Sequence, residues 1–350
     1  NLKSIQVNNN NNSKHLDKFI TQKFVKMKDI EAILHNPSKD VGSIDLDKYQ
    51  MYVLNNEKSN MIKKVVEFTP ALYKIFDELL VNACDQYTRM KILLDKINKI
   101  KTGVLPHDEK IDMNYLYHPV RNIHIDVNRE NGTISVKNDG EGIDVAEHPE
   151  YKVYIPQMIF GELLTSGNYN KAEKKITGGK NGYGAKLTNI FSTFFRVETV
   201  DRHRKLKYVQ EYRNNMDIKG EPVITEYKDA PYTRISFIPD YAKFSMSGLT
   251  GELEALIKKR TIDMFACSRG QLQVFHNDTP IQLETFTDYM KLYLEPEHLT
   301  VACKPNNRWE IGACMSPNFT FQQISFVNGI NTHRGGKHVE YIVKQITKKM

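Results

Sequence analysis

Cysteine is scarce in this chain of 350 residues, and its spacing excludes the common metal motifs. The 4 cysteines stand as scattered single residues, at Cys84, Cys267, Cys303 and Cys314. Because no CxxC pair occurs, a zinc site is not expected, and the pattern is typical of a reducing compartment. The sequence also lacks an 18-residue apolar run and a secretory signal pattern, so it predicts neither a membrane span nor export.

Charge of neither sign dominates. Lys plus Arg number 49 and Asp plus Glu number 42, which leaves a net charge of +7. This mild excess is compatible with a polyanionic partner but does not require one. A hydrophobic share of 40% over 350 residues can supply the cores of two domains. The chain opens at Asn1 and stops inside a helical pattern, so we expect it to be part of a longer protein.

Helical and strand patterns mix without strict alternation, which predicts an α+β fold. A helix is expected over residues 66–87, with Thr69 as its cap and Pro70 at its first position. Two strands are expected around a turn at Asn131-Gly132. A second long helix is expected at about 247–266.

Two stretches fall outside this regular pattern. The five consecutive asparagines at positions 8 to 12 predict a disordered lead over about 1–25. Residues 88–120 are polar and irregular after a helical start, and they are interpreted as an insertion.

Glu78 and Asn82 are spaced i and i+4, so they share one face of the first long helix. A carboxylate can serve as a general base for a water molecule. An Asn carbonyl one turn later can hold a hard cation such as Mg²⁺. Taken alone, the pair is better explained as an ordinary helix surface.

The stretch Asn138-Asp139-Gly140-Glu141-Gly142 ends the second strand of the expected hairpin. Its two glycines allow the backbone to curl under a flat ligand. The side-chain oxygen of Asn138 or Asp139 could accept a hydrogen bond from an exocyclic amine. Further on, Ser166, Gly167 and Asn168 suit sugar or phosphate contacts. Taken alone, the first stretch is better explained as a simple tight turn, and the second is only a loop.

A glycine-rich loop, "ITGGKNGYGAKL", leads directly into an apolar helical pattern. Free N–H groups and the positive end of the helix dipole make such a junction a site for anions. The loop is not a Walker P-loop, since Leu187 follows Lys186 where Ser or Thr is required. It also lacks the GxGxxG spacing, because Leu187 stands at the third glycine position. A phosphate cradle of another type remains.

These four stretches in this order resemble the GHKL ATPases. The segments "KIFDELLVNACDQ", "LLTSGNYN", "ITGGKNGYGAKLTNIFS" and "QQISFVNGINTHRGGKHVEY" resemble more closely the type IIA DNA topoisomerases of eukaryotes and large DNA viruses. The segment "IEAILHNPSKDVGS" is similar to that family's N-terminal segment, which reaches into the partner subunit. The resemblance runs from about Lys26 to the end of the chain. It implies a GHKL (Bergerat) sandwich over 26–264 and the first part of a transducer domain of the ribosomal S5-like class over 265–350.

The resemblance also implies roles for individual residues. Glu78 matches the general base and Asn82 the Mg²⁺ ligand, with ATP as the nucleotide. Asn138 matches the adenine-reading position, and Thr233 a hydroxyl near adenine. The remaining matches are to the ribose and phosphate loop and to the ATP lid: Ser166, Gly167, Asn168, Gly179, Lys180, Asn181, Gly182, Tyr183, Gly184, Ala185 and Lys186.

Three positions depart from the family pattern. Gly167 stands where a second serine is usual, and Gln86 stands where cellular members have Asn. Asp40 stands where a tyrosine is typical. A direct ligand contact by Gln86 is therefore not expected.

As a whole, the resemblance implies the ATPase gate of a DNA topoisomerase, a homodimer closed by ATP around double-stranded DNA. It implies a nuclear location, or a viral factory or the cytoplasm for a viral protein. The cations expected to face the duplex are Lys258, Lys259, Arg260, Arg334 and Lys337. Two alternatives were weighed: an ATP-gated clamp or chaperone without strand passage, and a histidine kinase-like module. The second needs a phospho-acceptor histidine on a dimer helix, whereas His15 lies in an Asn-rich tail.

Overall fold

The structure, a computed structural model, describes residues 29–163, 178, 182–295, 298–306, 308–316 and 320–349. The lead expected over 1–25 lies outside them.

The α-helices in these ranges vary from short turns to one long rod. They are α1 (Asp29–His35), α2 (Pro70–Lys101), α3 (Ile155–Gly161), α4 (Gly184–Ile190), α5 (Gly251–Ser268), α6 (Phe286–Lys291) and α7 (Lys337–Lys349).

The longer strands of the central sheet lie between α2 and α5, with two strands before α2 and six after α5. They are β1 (Asp47–Asn55), β2 (Asn60–Phe68), β3 (Asn122–Asn128), β4 (Thr133–Asp139), β5 (Ser192–Asp201), β6 (Leu206–Arg213), β7 (Ile218–Lys219), β8 (Val223–Glu226), β9 (Tyr232–Pro239), β10 (Gln273–His276), β11 (Thr279–Pro280), β12 (Thr300–Asn306), β13 (Trp309–Cys314), β14 (Phe326–Val327) and β15 (Ile330–Asn331).

Helix α2 begins where the sequence predicts, with Pro70 at its first position. Thr69 precedes it but does not cap it, because its hydroxyl donates to the carbonyl of Phe244 at 2.7 Å. The helix continues to Lys101, which extends the helical start expected after residue 88, and the interpretation of 88–120 as an insertion stays a prediction. Buried Met90 and Ile97, spaced i and i+7, continue its apolar stripe through the polar run.

A nine-stranded sheet forms the centre of the molecule, in the order β11-β10-β3-β4-β9-β5-β6-β7, with β8 also paired to β6. Strands β3 and β4 form the expected hairpin around Asn131-Gly132. Strand β10 runs parallel to β3, and the other neighbouring pairs are antiparallel. This mixed sheet confirms the predicted α+β class.

The helices cover one face of the sheet and bury the main hydrophobic core, beside which two smaller clusters pack around β1, β2 and α5. Along β3, Ile123 and Ile125 point into this core, whereas His124 lies between them on the opposite face. Residues such as Leu72 and Phe76 of α2 pack against this face. The result is a two-layer sandwich with α2 beneath the strand ends that carry the predicted site.

The predicted domain boundary at residue 265 falls inside α5, which runs unbroken from Gly251 to Ser268. Strands β10 and β11 follow it and extend the same nine-stranded sheet. Two separate antiparallel pairs, β12–β13 and β14–β15, come only after Pro280. The division into two domains stays a prediction, and the sheet favours placing it after β11.

In the part of the chain that the structure describes, no helix is long and apolar enough to cross a bilayer.

Candidate functional site

Helix α2 presents Glu78 and Asn82 to a cavity of about 1200 Å³. Both residues are half-buried, and one turn of helix separates them. The same cavity is lined by most of the other predicted nucleotide-binding residues in the described ranges: Asn138, Gly182, Tyr183, Gly184, Ala185, Lys186 and Thr233. The predicted residues Ser166, Gly167, Asn168, Gly179, Lys180 and Asn181 lie outside the described residues.

The Glu78 carboxylate lies between two elements. One oxygen forms an ion pair with Lys74, one turn earlier on α2. The other faces the first residue of α4, where a β-carbon on Gly184 would overlap it. With any other residue at this position, the carboxylate would have to shift to make room for the β-carbon.

Strand register places three polar residues side by side at one end of the cavity. Asn138 of β4 pairs with Thr233 of β9, and Thr233 pairs with Thr199 of β5. The two threonine hydroxyls are 2.9 Å apart. The amide nitrogen of Asn138 donates to the carbonyl of Asp139 at 2.8 Å, so its side-chain oxygen remains as an acceptor.

Asp139 does not share this role, although the sequence left it open. Its carboxylate accepts the backbone N–H groups of Arg121 and Asn122, at 2.7 and 2.8 Å. It also accepts the side-chain amide of Asn122 at 2.6 Å. Asp139 therefore fastens the end of β4, and Asn138 is left as the candidate reader of an amine.

The turn after β4 is held by residues that sequence reasoning missed. Glu141 accepts the backbone N–H of His118 at 2.7 Å and the hydroxyl of Tyr115 at 3.1 Å. Gln86 of α2 donates to the Glu141 carbonyl at 3.0 Å. At Gly142, a β-carbon would meet the Thr199 hydroxyl at 2.8 Å, so the turn is pressed against β5.

Lys186 is buried in α4, with 1% of its surface exposed. Burial lowers the pKa of its ammonium group to about 8, and the nearby Glu162 carboxylate opposes this shift only in part. A buried cation at a cavity wall fits a polyanionic ligand, because the ligand charge would compensate the lost hydration.

The segment before β1 also borders the cavity. Asp29, Lys39 and Asp40 line it, and Val41 is buried in the core of the same chain. The carbonyl of Ser43 accepts the backbone N–H of Ala71 at 3.0 Å. The described part of this segment therefore packs on its own chain, and the expected reach into a partner subunit stays a prediction.

Two of the predicted DNA contacts are wrong. Arg260 is 0% exposed and Lys259 is 8% exposed, so neither can face a duplex. Lys259 pairs with Asp263 at 2.7 Å, and Arg260 pairs with Asp77 at 2.7 Å. Lys258, Arg334 and Lys337 lie at the surface and keep their places as candidates.

Two buried or half-buried aspartates of α2 were not anticipated. Asp77 takes the guanidinium of Arg260, and Asp85 accepts the backbone N–H of Gly178 at 2.8 Å. No local pattern identifies them, since both partners are remote in sequence.

Comparison with known proteins places this architecture. A family model described as DNA gyrase B matches residues 282–350, directly after β11. DNA topoisomerase 2 of Drosophila melanogaster is 41% identical over 338 residues, which cover 95% of this chain and 21% of that protein. DNA topoisomerase 2 of Acanthamoeba polyphaga mimivirus is 40% identical over 339 residues, covering 94% of this chain and 24% of that protein. The chain thus spans about a fifth to a quarter of the length of these relatives.

Solved structures agree in fold over nearly the whole chain. The ATPase region of Saccharomyces cerevisiae topoisomerase II matches with a TM-score of 0.81 and 40% identity, covering 94% of this chain and 80% of that one. The ATPase and transducer domains of DNA topoisomerase II from Balamuthia mandrillaris match with a TM-score of 0.80 and 38% identity, covering 94% and 77%. These matches confirm the predicted GHKL sandwich followed by transducer sequence. The chain belongs to the type IIA DNA topoisomerase family and corresponds to its N-terminal ATPase region.

Proposed function

We propose that this chain binds ATP with Mg²⁺ and hydrolyses it, as the ATP-driven gate of a type II DNA topoisomerase. One observation carries the proposal: Glu78, Asn82, Asn138 and Lys186 come from three separate elements and line a single cavity. The cavity volume of about 1200 Å³ is ample for a nucleotide with its metal ion.

The two ends of the cavity differ in chemistry, as the two ends of a nucleotide do. At the strand ends, the Asn138 side-chain oxygen and the Thr233 hydroxyl would read adenine. Gly142 beside them lets the turn lie directly against β5, because a β-carbon there would overlap the backbone of Val200. At the α4 end, Gly184 and Lys186 would contact phosphate oxygens through backbone N–H and ammonium groups.

Asn82 is the residue that would hold Mg²⁺. Within the described residues no cluster of three or more His, Cys, Asp or Glu side chains could hold a metal ion by itself. That fits Mg²⁺, which commonly takes one or two protein ligands and completes its shell with water and substrate phosphates. When bound, the ion would neutralise charge on the phosphates.

Glu78 would act as the general base. Its carboxylate would accept the proton of a water molecule as that water attacks the γ-phosphorus and the bond to the β-phosphate oxygen breaks. Lys74 and the Gly184 backbone fix the carboxylate from two sides, so its direction is set before the ligand arrives.

The larger role is drawn from the relatives. As in a topoisomerase gate, two copies of the protein would close on binding ATP and enclose a DNA duplex. We place the protein in the nucleus, or in a viral factory or the cytoplasm for a virus, because its relatives include eukaryotic and mimivirus proteins.

The test compares Glu78→Gln with Asp95→Asn in the full-length protein. Asp95 is an exposed residue farther along α2, paired only with Lys99. Glu78→Gln should bind an ATP analogue normally and lose about 10² to 10⁴ in turnover, whereas Asp95→Asn should match the parent. Turnover by Glu78→Gln near the parent level would remove Glu78 as the base.

The gate is tested separately by sedimentation. A non-hydrolysable ATP analogue should shift the full-length protein's ATPase regions from separate to paired. An identical sedimentation profile with and without the analogue would contradict the gate, but it would not count against the proposed ATP hydrolysis.

A further inference from the structure

Arg260 of α5 is one of the largest side chains buried completely in the described residues, with 0% exposure. Arginine is almost never fully buried unless it is paired, because the guanidinium loses its hydration. Its partners therefore indicate what the residue holds together.

Its donors bridge to two other parts of the chain. Nε donates to the Asp77 carboxylate of α2 at 2.7 Å. Nη2 donates to the carbonyl of Gly329, in the turn between β14 and β15, at 2.6 Å. The guanidinium also lies 5.8 Å from the ring centre of Phe326 in β14. One side chain thus joins the helix that carries Glu78 to a hairpin formed much later in the chain.

The hairpin turn is seated against α2 as well. Asn328 and Gly329 both have positive φ, of 50° and 80°, as a tight two-residue hairpin turn requires. A β-carbon on Gly329 would lie 3.2 Å from the sulfur of Cys84 on α2. A β-carbon on Gly178 would lie 2.8 Å from the Asn328 carbonyl.

Asp77 directly precedes Glu78, and successive residues of a helix point about 100° apart. Fixing Asp77 toward α5 therefore fixes the rotation of α2 and the direction in which Glu78 leaves it. We propose that Arg260 is a positioning residue for ATP hydrolysis: it sets the orientation of Glu78 through Asp77 while gripping the β14–β15 hairpin. This inference rests on the proposed function, and it names a residue that controls the rate of the proposed ATP hydrolysis.

The sharpest test is Arg260→Lys. Lysine keeps the charge, but its single ammonium group cannot reproduce a planar fork that bonds Asp77 and Gly329 at once. A displaced base affects the chemical step more than ground-state binding. We expect kcat to fall about tenfold or more, with KM for ATP within about threefold of the parent.

Lys259→Met is the matched control. Lys259 is also buried, on the same helix, but it pairs with Asp263, which in turn accepts the Tyr289 hydroxyl of α6. The hydrogen bonds and the ion pair of this cluster join α5 to α6, and Asp263 acts on Tyr73 of α2 only through its charge. The control should lower the thermal midpoint and leave kcat per folded molecule unchanged.

A second variant approaches the contact from the other side. Asp77→Asn keeps an acceptor for Arg260 but removes the charge, so it should lower kcat in the same direction. Combined with Arg260→Lys, its effect should be less than additive, because both changes break one contact.

The outcomes separate this inference from the proposed function. A folded Arg260→Lys protein with parent kcat would overturn it, and so would an equal loss of kcat in Lys259→Met. Failure of the proposed function has another signature: Glu78→Gln would then turn over ATP normally.

Discussion

The carboxylate of Glu78 lies against the α-carbon of Gly184, so close that the two leave no room for a β-carbon. Helix α4 begins at this residue, and a side chain there would force the Glu78 carboxylate to move. The contact links the last glycine of the glycine-rich loop to the candidate base.

Gly184→Ala should therefore displace the carboxylate and lower ATP turnover about ten- to a hundredfold. Stability should change little, because alanine favours a helix over glycine by about 1 kcal/mol and offsets part of the crowding. Steady-state kinetics and thermal unfolding measure the two effects. Gly248→Ala is the control, since a β-carbon there meets nothing within 4 Å. Equal kinetics for both variants would show that the contact is unimportant.

Asn82→Ala should weaken binding of ATP with Mg²⁺ more than binding of ADP without it, because only the first requires the metal ligand. Calorimetry with and without Mg²⁺ gives the difference. Gln86→Ala, one turn later on α2, removes a side chain that donates to the protein's own Glu141 carbonyl. Gln86→Ala should therefore change nucleotide affinity equally with and without Mg²⁺. An equal loss of nucleotide affinity by Asn82→Ala with and without Mg²⁺ would rule out the metal role.

ATP affinity should fall as pH rises through about 8, where buried Lys186 loses its proton. Folding of the free protein should respond in the opposite direction. The pKa of Lys186 in the folded state lies below its ordinary value of 10.5, so the unfolded chain binds more protons between these values and stability rises with pH. Titration calorimetry from pH 7 to pH 10 measures the affinity, and Lys186→Met should abolish the step. An unchanged step in that variant would assign it to another group.

DNA binding should be independent of sequence and weaken with salt, with a slope of about −0.9 per phosphate neutralised. Replacing Lys258, Arg334 and Lys337 together by alanine should flatten that slope. Lys99→Ala is the control, an exposed cation at the far end of α2. Anisotropy of a labelled duplex over a salt series gives both slopes. A salt-insensitive or sequence-selective complex would count against this interface.

The sequence predicts the start of α2 better than its end. Pro70 and the close apolar spacing mark the start locally. The last turns do carry apolar residues at helical spacing, among them Met90, Leu93 and Ile97, but charged residues interrupt them. The ion pair of Lys96 with Asp108 at this end of the helix joins two residues that no local pattern connects.

The sequence predicts those site residues that lie together in one short motif, such as Glu78 and Asn82. It does not predict the contacts that residues far apart in the sequence make around them. The sequence predicts that Arg260, the partner of Asp77, is exposed, because arginine side chains usually lie at the surface. Thr199 joins Thr233 only through strand register, which the sequence does not specify across a long connection.

The parallel pairing of β10 with β3 has a consequence for biosynthesis. During translation, β3 has no neighbour on one side until Gln273 and the residues after it have emerged. Asn277 then closes that edge, accepting the backbone N–H of Val127 at 2.6 Å and donating its own N–H to Ile125 at 2.9 Å. An unpaired strand edge invites pairing between nascent chains. The shortest nucleotide-binding fragment that stays free of aggregation should therefore extend through Pro280.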